Sequence, residues 1–158
     1  MIFWKQGPLG ACAVDRTAHA GRPPYIESPI IPVASILLID DDAALRTVTT
    51  EILREAGYTV DEAPDGKSAL ELYEAGQHDL VITDIAMPDM DGLELIMTLS
   101  HSVPQPRLIA ISGDSQFSES LYLPTARKLG VQGTLTKPIR SEALLQTVAK
   151  VLSSPAPH

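Results

Sequence analysis

Cysteine is almost absent: Cys12 stands alone in 158 residues. Neither an internal disulfide nor a cysteine-rich zinc site can be built, and a reducing, cytoplasmic setting is expected. An excess of positive charge is missing as well, since twelve basic residues face twenty acidic ones for a net charge of −8. That balance argues against a grip on nucleic-acid phosphates or on an anionic membrane surface, and favours metal ions and basic partners. No apolar run approaches the roughly 20 residues needed to cross a bilayer. Length is also limiting, because at roughly 100 to 200 residues per domain a second catalytic or DNA-binding domain hardly fits. What the chain does have is 44% hydrophobic residues, enough for a core that buries roughly two-thirds of the unfolded surface.

The sequence divides near Ser35. Residues 1–34 hold five prolines, three glycines and no sustained periodicity, and read as a flexible extension. Within it, Leu9-Gly10-Ala11-Cys12 loosely resembles a lipoprotein cleavage box, but the apolar stretch before it is short and broken by Lys5, Gln6 and Pro8, so an unstructured start is expected. The acidity belongs to residues 35–152, with nine basic and eighteen acidic residues, and residues 153–158 form a short tail.

Five short β-rich runs recur in the folded part: ILLI (36–39), YTVDE (58–62), LVIT (80–83), RLIAIS (107–112) and GTLT (133–136). A helical pattern follows each of them. Leu45, Val48, Ile52 and Leu53 mark the first helix, with Asp42 as its cap and Gly57 as its stop. Leu144, Val148 and Leu152 mark the last, with Ser141 as its cap. Between them, helices are expected over Gly66–Ala75, Gly92–Ser100 and, less distinctly, Ser118–Leu129. Runs that are apolar throughout need cover on both faces, so the architecture is α/β with a parallel sheet between helices.

In such a sheet the chemistry lies at the carboxyl ends of the strands. The first run leads into Asp40, Asp41 and Asp42, the third ends at Asp84, the fourth at Ser112 and the fifth at Lys137. Taken singly, each has a plain structural explanation: an acid that caps a helix, a serine that closes a turn, a solvated lysine. Together they bring acid, hydroxyl and ammonium to one edge. Carboxylates about 4 Å apart repel by roughly 4 kcal/mol at an effective dielectric of 20, which calls for a cation among them. An all-oxygen set of this kind suits Mg²⁺, which usually also binds a phosphate.

ILLIDDD (36–42), VITDIAMPDMDG (81–92), LIAISG (108–113) and LTKPI (135–139) together resemble the receiver domain of two-component response regulators. The resemblance covers Ser35 to Leu152 and implies a flavodoxin-like (βα)5 fold, with a five-stranded parallel sheet in order 2-1-3-4-5 and helices on both faces. It further implies that Asp84 is the phosphoryl acceptor, that Asp41 and Asp84 bind Mg²⁺ directly, that Asp40 holds the metal's water and that Ala86 offers its backbone carbonyl. Ser112 would hydrogen-bond the phosphoryl group, Lys137 would neutralise another of its oxygens, and the Lys137-Pro138 peptide would be cis. The implied partners are a histidine kinase or histidine phosphotransfer protein and a downstream protein target, with no direct contact to nucleic acid or membrane. No turnover of an outside substrate is expected, only self-phosphorylation from a phosphodonor and autodephosphorylation.

Competing motifs fail. A phosphatase of the haloacid dehalogenase type needs a second aspartate two residues after the nucleophile, where Ala86 stands. Gly66-Lys67-Ser68 resembles the end of a P-loop, but the earlier glycine would fall at Asp61, so a helix start after an Asp65-Gly66 turn is expected. Asp89, Asp91 and Gly92 mimic part of a calcium loop, yet Met87 and Thr98 occupy its first and last ligand positions. No two of the four histidines are spaced as metal ligands; His78 and His101 read as surface loop residues, and His19 and His158 lie in the tails.

Three departures from the resemblance remain. Six residues follow Leu152, which suggests a stand-alone receiver. Pro124 interrupts the fourth helical pattern, so a short or displaced fourth helix is expected, and Thr134 occupies the position, three before the lysine, where an aromatic switch residue is usual. The signal is therefore expected in the loops after Asp84 and Ser112 and in the Pro124 segment. The alternative is a pseudo-receiver that binds proteins independently of phosphorylation.

Overall fold

Apolar runs that cannot face water on either side are covered on both. The structure, a computed structural model, describes residues 33–88, 92–113 and 122–157. The lipoprotein-like box, His19, Asp89, Asp91, Ser118 and His158 lie outside the described residues. Five strands, β1 (Ser35–Ile39), β2 (Thr59–Ala63), β3 (Leu80–Asp84), β4 (Arg107–Ser112) and β5 (Gly133–Thr136), pair in parallel in the order β2-β1-β3-β4-β5. They alternate with α1 (Ala43–Glu55), α2 (Gly66–Ala75), α3 (Gly92–Ser100), α4 (Leu123–Lys128) and α5 (Ser141–Ser153).

Successive side chains of a strand point to opposite faces, so the sheet has two cores. Leu37, Ile39 and Val81 pack with Ala69 of α2, Leu95, Ile96 and Leu99 of α3 and Ala126 of α4. Ile36, Leu38, Ile82 and Ile109 pack with Leu53 of α1 and with Leu144, Val148 and Val151 of α5. Every residue of β3, the central strand, is buried.

Helix ends follow local chemistry. Asp42 caps α1 by accepting from the amides of Ala44 and Leu45, and Asp65 caps α2 by accepting from Ser68. Gly57, at a φ of 96°, closes α1: its N–H donates to the Arg54 carbonyl and that of Tyr58 to the Leu53 carbonyl. This paired reversal needs a left-handed residue, which is why a glycine stands there.

Several expectations are corrected. Arg140, not Ser141, is the residue before α5, and no side chain caps that helix. The fourth helix is short, as expected: α4 spans Leu123–Lys128, and Pro124 lies in its first turn, where its missing N–H costs nothing. Val48 is 53% exposed, and α1 instead buries Thr49, Thr50 and Leu53. The Thr49 hydroxyl donates to the Leu45 carbonyl at 2.8 Å, which removes the polar cost of burying it. The Lys137–Pro138 peptide is cis as expected, and so is Val103–Pro104.

Candidate functional site

The order β2-β1-β3-β4-β5 sets β1 beside β3 and sends the chain in opposite directions from that pair, which opens a crevice at their carboxyl ends. Asp40 directly follows β1, Asp84 ends β3, Ser112 ends β4, and Lys137 directly follows β5. Carboxylate oxygens of Asp40, Asp41 and Asp84 lie within 4.8 Å of one another; Asp40 and Asp84 are buried and Asp41 is exposed. The Lys137 Nζ sits 2.6 Å from Asp84 Oδ2 and 3.1 Å from Asp40 Oδ2. The other oxygen of each acid accepts from backbone: Asp42 N–H donates to Asp40 Oδ1 and Ala86 N–H to Asp84 Oδ1, both at 2.9 Å. The Ser112 hydroxyl is buried and has no partner among the described residues. The backbone of Ser112 is tied to the lysine, whose N–H donates to its carbonyl at 2.9 Å.

One ammonium against two buried carboxylates leaves uncompensated negative charge. Burial raises the Asp40 pKa above the ordinary 3.8, and the Asp84 charge adds to this, while the Asp42 amide and Lys137 pull the other way without winning. Burial works to lower the Lys137 pKa, but the hydrogen bond and charge of Asp84, followed by those of Asp40, outweigh it and raise the value. An acid whose pKa is raised by folding contributes stability below its unfolded pKa and loses it as pH rises through the folded one. Ionised Asp40 therefore destabilises the metal-free protein at neutral pH. Asp40→Asn is expected to raise the Tm in EDTA at pH 7, since Lys137 keeps Asp84 and the repulsion is gone. The gain should vanish below the ordinary 3.8, where the native acid is itself protonated; a lower Tm for the variant at pH 7 would contradict this electrostatic account.

Asp40, Asp41, Asp84, Ser112 and Lys137 all reach the crevice, and Ala86, which is exposed, borders it through its amide. Asp42 does not join the cluster, because its carboxylate is engaged at the start of α1. Two residues shape the site through contacts that the sequence does not show. Gly92, the first residue of α3, passes so close to β3 that a Cβ on it would overlap the Asp84 carbonyl oxygen and come within 2.6 Å of Ile85 Cα. Arg46, in α1, donates from Nη1 to the Asp40 carbonyl at 2.6 Å. Nothing short of the folded backbone reveals either approach. His78 is corrected: its side chain is only 2% exposed, with Nε2 2.9 Å from Asp61 Oδ2, so it joins the α2–β3 connection to the edge strand. His101 is exposed, as expected.

The response regulator receiver domain family matches residues 36–149. The chain belongs to this family. The receiver is similar to the sensor kinase CckA of Brucella abortus, with 36% identity over 121 residues that make up 75% of this chain and 12% of that protein. It is also similar to the DNA-binding transcriptional regulator NtrC of Azospirillum brasilense, with 35% identity over 127 residues, or 78% of this chain and 25% of that one. Among solved structures, the chemotaxis response regulator CheY4 of Vibrio cholerae superposes with a TM-score of 0.68 at 28% identity, covering 75% of this chain and 98% of that one. The receiver spans a quarter or less of the two curated relatives. Receiver domains are phosphorylated by histidine kinases and generally bind Mg²⁺ at an acidic pocket, the place held here by Asp40, Asp41 and Asp84. Among the described residues no helix is long and apolar enough to cross a membrane.

Proposed function

We propose that this receiver accepts a phosphoryl group on Asp84 from the phosphohistidine of a histidine kinase or phosphotransfer protein, in a Mg²⁺-dependent step, and signals by changing its contacts with a downstream protein. The observation that carries the reading is Lys137 held between Asp84 and Asp40 beside the buried, unpartnered hydroxyl of Ser112. Three carboxylates against one ammonium form an all-oxygen, negatively charged set that fits a hard dication. Asp40, Asp41, Asp84 and the Ala86 carbonyl would hold it. Bound Mg²⁺ would neutralise charge on the phosphoryl oxygens.

The protein's own groups supply the remainder. The Asp84 carboxylate forms the new O–P bond as the N–P bond of the donor breaks, and the departing electron pair returns to the imidazole, which takes a proton. Lys137 has two acidic partners, so it can release Asp84 to meet a phosphoryl oxygen while Asp40 still holds it. The Ser112 hydroxyl has a donor to spare for another oxygen. Water attack at phosphorus later restores the carboxylate and frees inorganic phosphate.

The test is intact mass after incubation with phosphoramidate and Mg²⁺. One added phosphoryl group, prevented by EDTA, is expected; no addition would leave the pseudo-receiver reading in its place. The neighbouring acids should separate in two measurements. Asp42→Ala should lose about 1 kcal/mol of stability as a helix cap is removed and keep its Mg²⁺ affinity, whereas Asp41→Ala should lose Mg²⁺ affinity and keep its stability. Equal losses of Mg²⁺ affinity would contradict this division.

A further inference from the structure

A cation beside a pocket built for a dication has the wrong sign for binding, yet Arg46 is fixed there. Its side chain is only 17% exposed, its Nη1 donates to the Asp40 carbonyl at 2.6 Å, and its Nε lies 3.4 Å from Glu62 Oε2 at the far end of β2. Glu62 in turn stands 3.9 Å from Arg54 Nη2, which is anchored on the Val60 carbonyl at 2.8 Å. Nε makes no hydrogen bond, so Glu62 holds the guanidinium from behind by charge alone, while Nη1 grips the carbonyl of the residue that follows β1. That carbonyl belongs to the peptide joining Asp40 to Asp41, so fixing it fixes the plane from which both carboxylates hang. The Asp42 amide closes the same turn on Asp40 Oδ1.

We propose that Arg46, tethered by Glu62, is a positioning residue that holds the Asp40–Asp41 peptide and so presents both carboxylates to a divalent cation; as to the cation, the inference rests on the Mg²⁺-dependent reading above. A planar fork suits the task, because one guanidinium reaches a carbonyl and a carboxylate at once, which an ammonium does less well. Charge and geometry then make opposite forecasts. Deleting a positive charge near the pocket should tighten Mg²⁺ binding if Coulomb forces dominate, and weaken it if the lost hydrogen bond frees the peptide.

The experiment titrates the full chain with MgCl₂ by calorimetry and, separately, follows amide exchange at Asp42 in EDTA, for the native protein, Arg46→Met and Arg46→Lys. Arg46→Met is expected to weaken Mg²⁺ binding roughly tenfold, as loss of a partner outside the ligand shell does, and to speed Asp42 exchange without metal. Arg46→Lys, which keeps the charge, should fall between. Unchanged or tighter Mg²⁺ binding by folded Arg46→Met overturns the proposal. So does exchange that rises equally throughout β1, β2 and α1, the mark of a merely structural role. If Arg46→Met does not fold, Arg46→Lys decides, and unchanged affinity with unchanged Asp42 exchange overturns it. A native protein that binds no Mg²⁺ would refute the cation reading, while exchange in EDTA would still decide whether Arg46 positions the turn.

Discussion

Asp84→Asn is expected to take no phosphoryl group under conditions that label the native protein completely, while remaining folded. An amide is not a nucleophile towards phosphorus, and among the described residues no other carboxylate stands in the same relation to both Lys137 and the Ser112 strand end. The fold should survive because the substitution changes no volume. Asparagine retains an oxygen for the Ala86 amide, and Lys137 keeps Asp40 at 3.1 Å. Removing one of two buried acids that share an ammonium leaves a balanced pair in place of a net negative charge, so the Tm should stay level or rise. The checks are intact mass with phosphoramidate and Mg²⁺ alongside thermal denaturation. Undiminished labelling of the variant would move the acceptor to another residue.

Gly92→Ala should produce the largest loss of stability from the smallest change. Alanine is favoured over glycine by about 1 kcal/mol inside a helix, and Gly92 begins α3, so local propensity alone predicts a gain. Sterics decide otherwise. The added methyl would overlap the Asp84 carbonyl oxygen and lie 2.6 Å from Ile85 Cα, and both are backbone atoms at the end of a fully buried strand. They cannot rotate away as a side chain could. Either α3 lifts from its core around Leu95, Ile96 and Leu99, or the Asp84–Ile85 backbone shifts. Overpacking of this kind costs about 3 kcal/mol, equivalent to a fall in Tm of roughly 10 °C for a domain of this size. Because the displaced backbone is that of Asp84, phosphorylation of the folded fraction should slow as well. An unchanged Tm would show that α3 is seated less firmly than described.

β1, β3 and β4 were legible because each is a short, nearly all-apolar run that has to be covered on two faces, a requirement written in composition alone, whereas the runs of the edge strands β2 and β5 are mixed and were legible by their β-rich residues and spacing. Asp40, Asp41, Asp84, Ser112 and Lys137 were legible for a related reason: they fall at or just beyond the ends of those runs, and parallel strands bring their carboxyl ends together. Where burial depended on a partner, the pattern misled. Thr49 is buried because its hydroxyl satisfies itself on the Leu45 carbonyl, so hydrophobic spacing chose Val48 instead. The His78 side chain is covered and lies against the exposed Asp61, seventeen residues before it, and nothing local signals that. Gly92 and Arg46 act through approaches to backbone atoms that exist only after the sheet and helices have docked. Helix ends divided in the same way: Asp42 announced itself as a cap by side-chain chemistry, Asp65 was read only as part of a turn before α2 although it caps that helix, and α5 begins after Arg140 with no side-chain cap to announce it.

The central claim is that Asp84 carries the phosphoryl group as a mixed anhydride, and borohydride trapping tests it most directly. Protein incubated with phosphoramidate and Mg²⁺ is reduced, digested and sequenced by mass spectrometry, because hydride converts an acyl phosphate to an alcohol and leaves a free carboxylate or a phosphate ester alone. The account predicts homoserine at position 84 and nowhere else, absent when EDTA is present. Homoserine at another aspartate, or a phosphoryl group that resists reduction on a hydroxyl or imidazole, would contradict it.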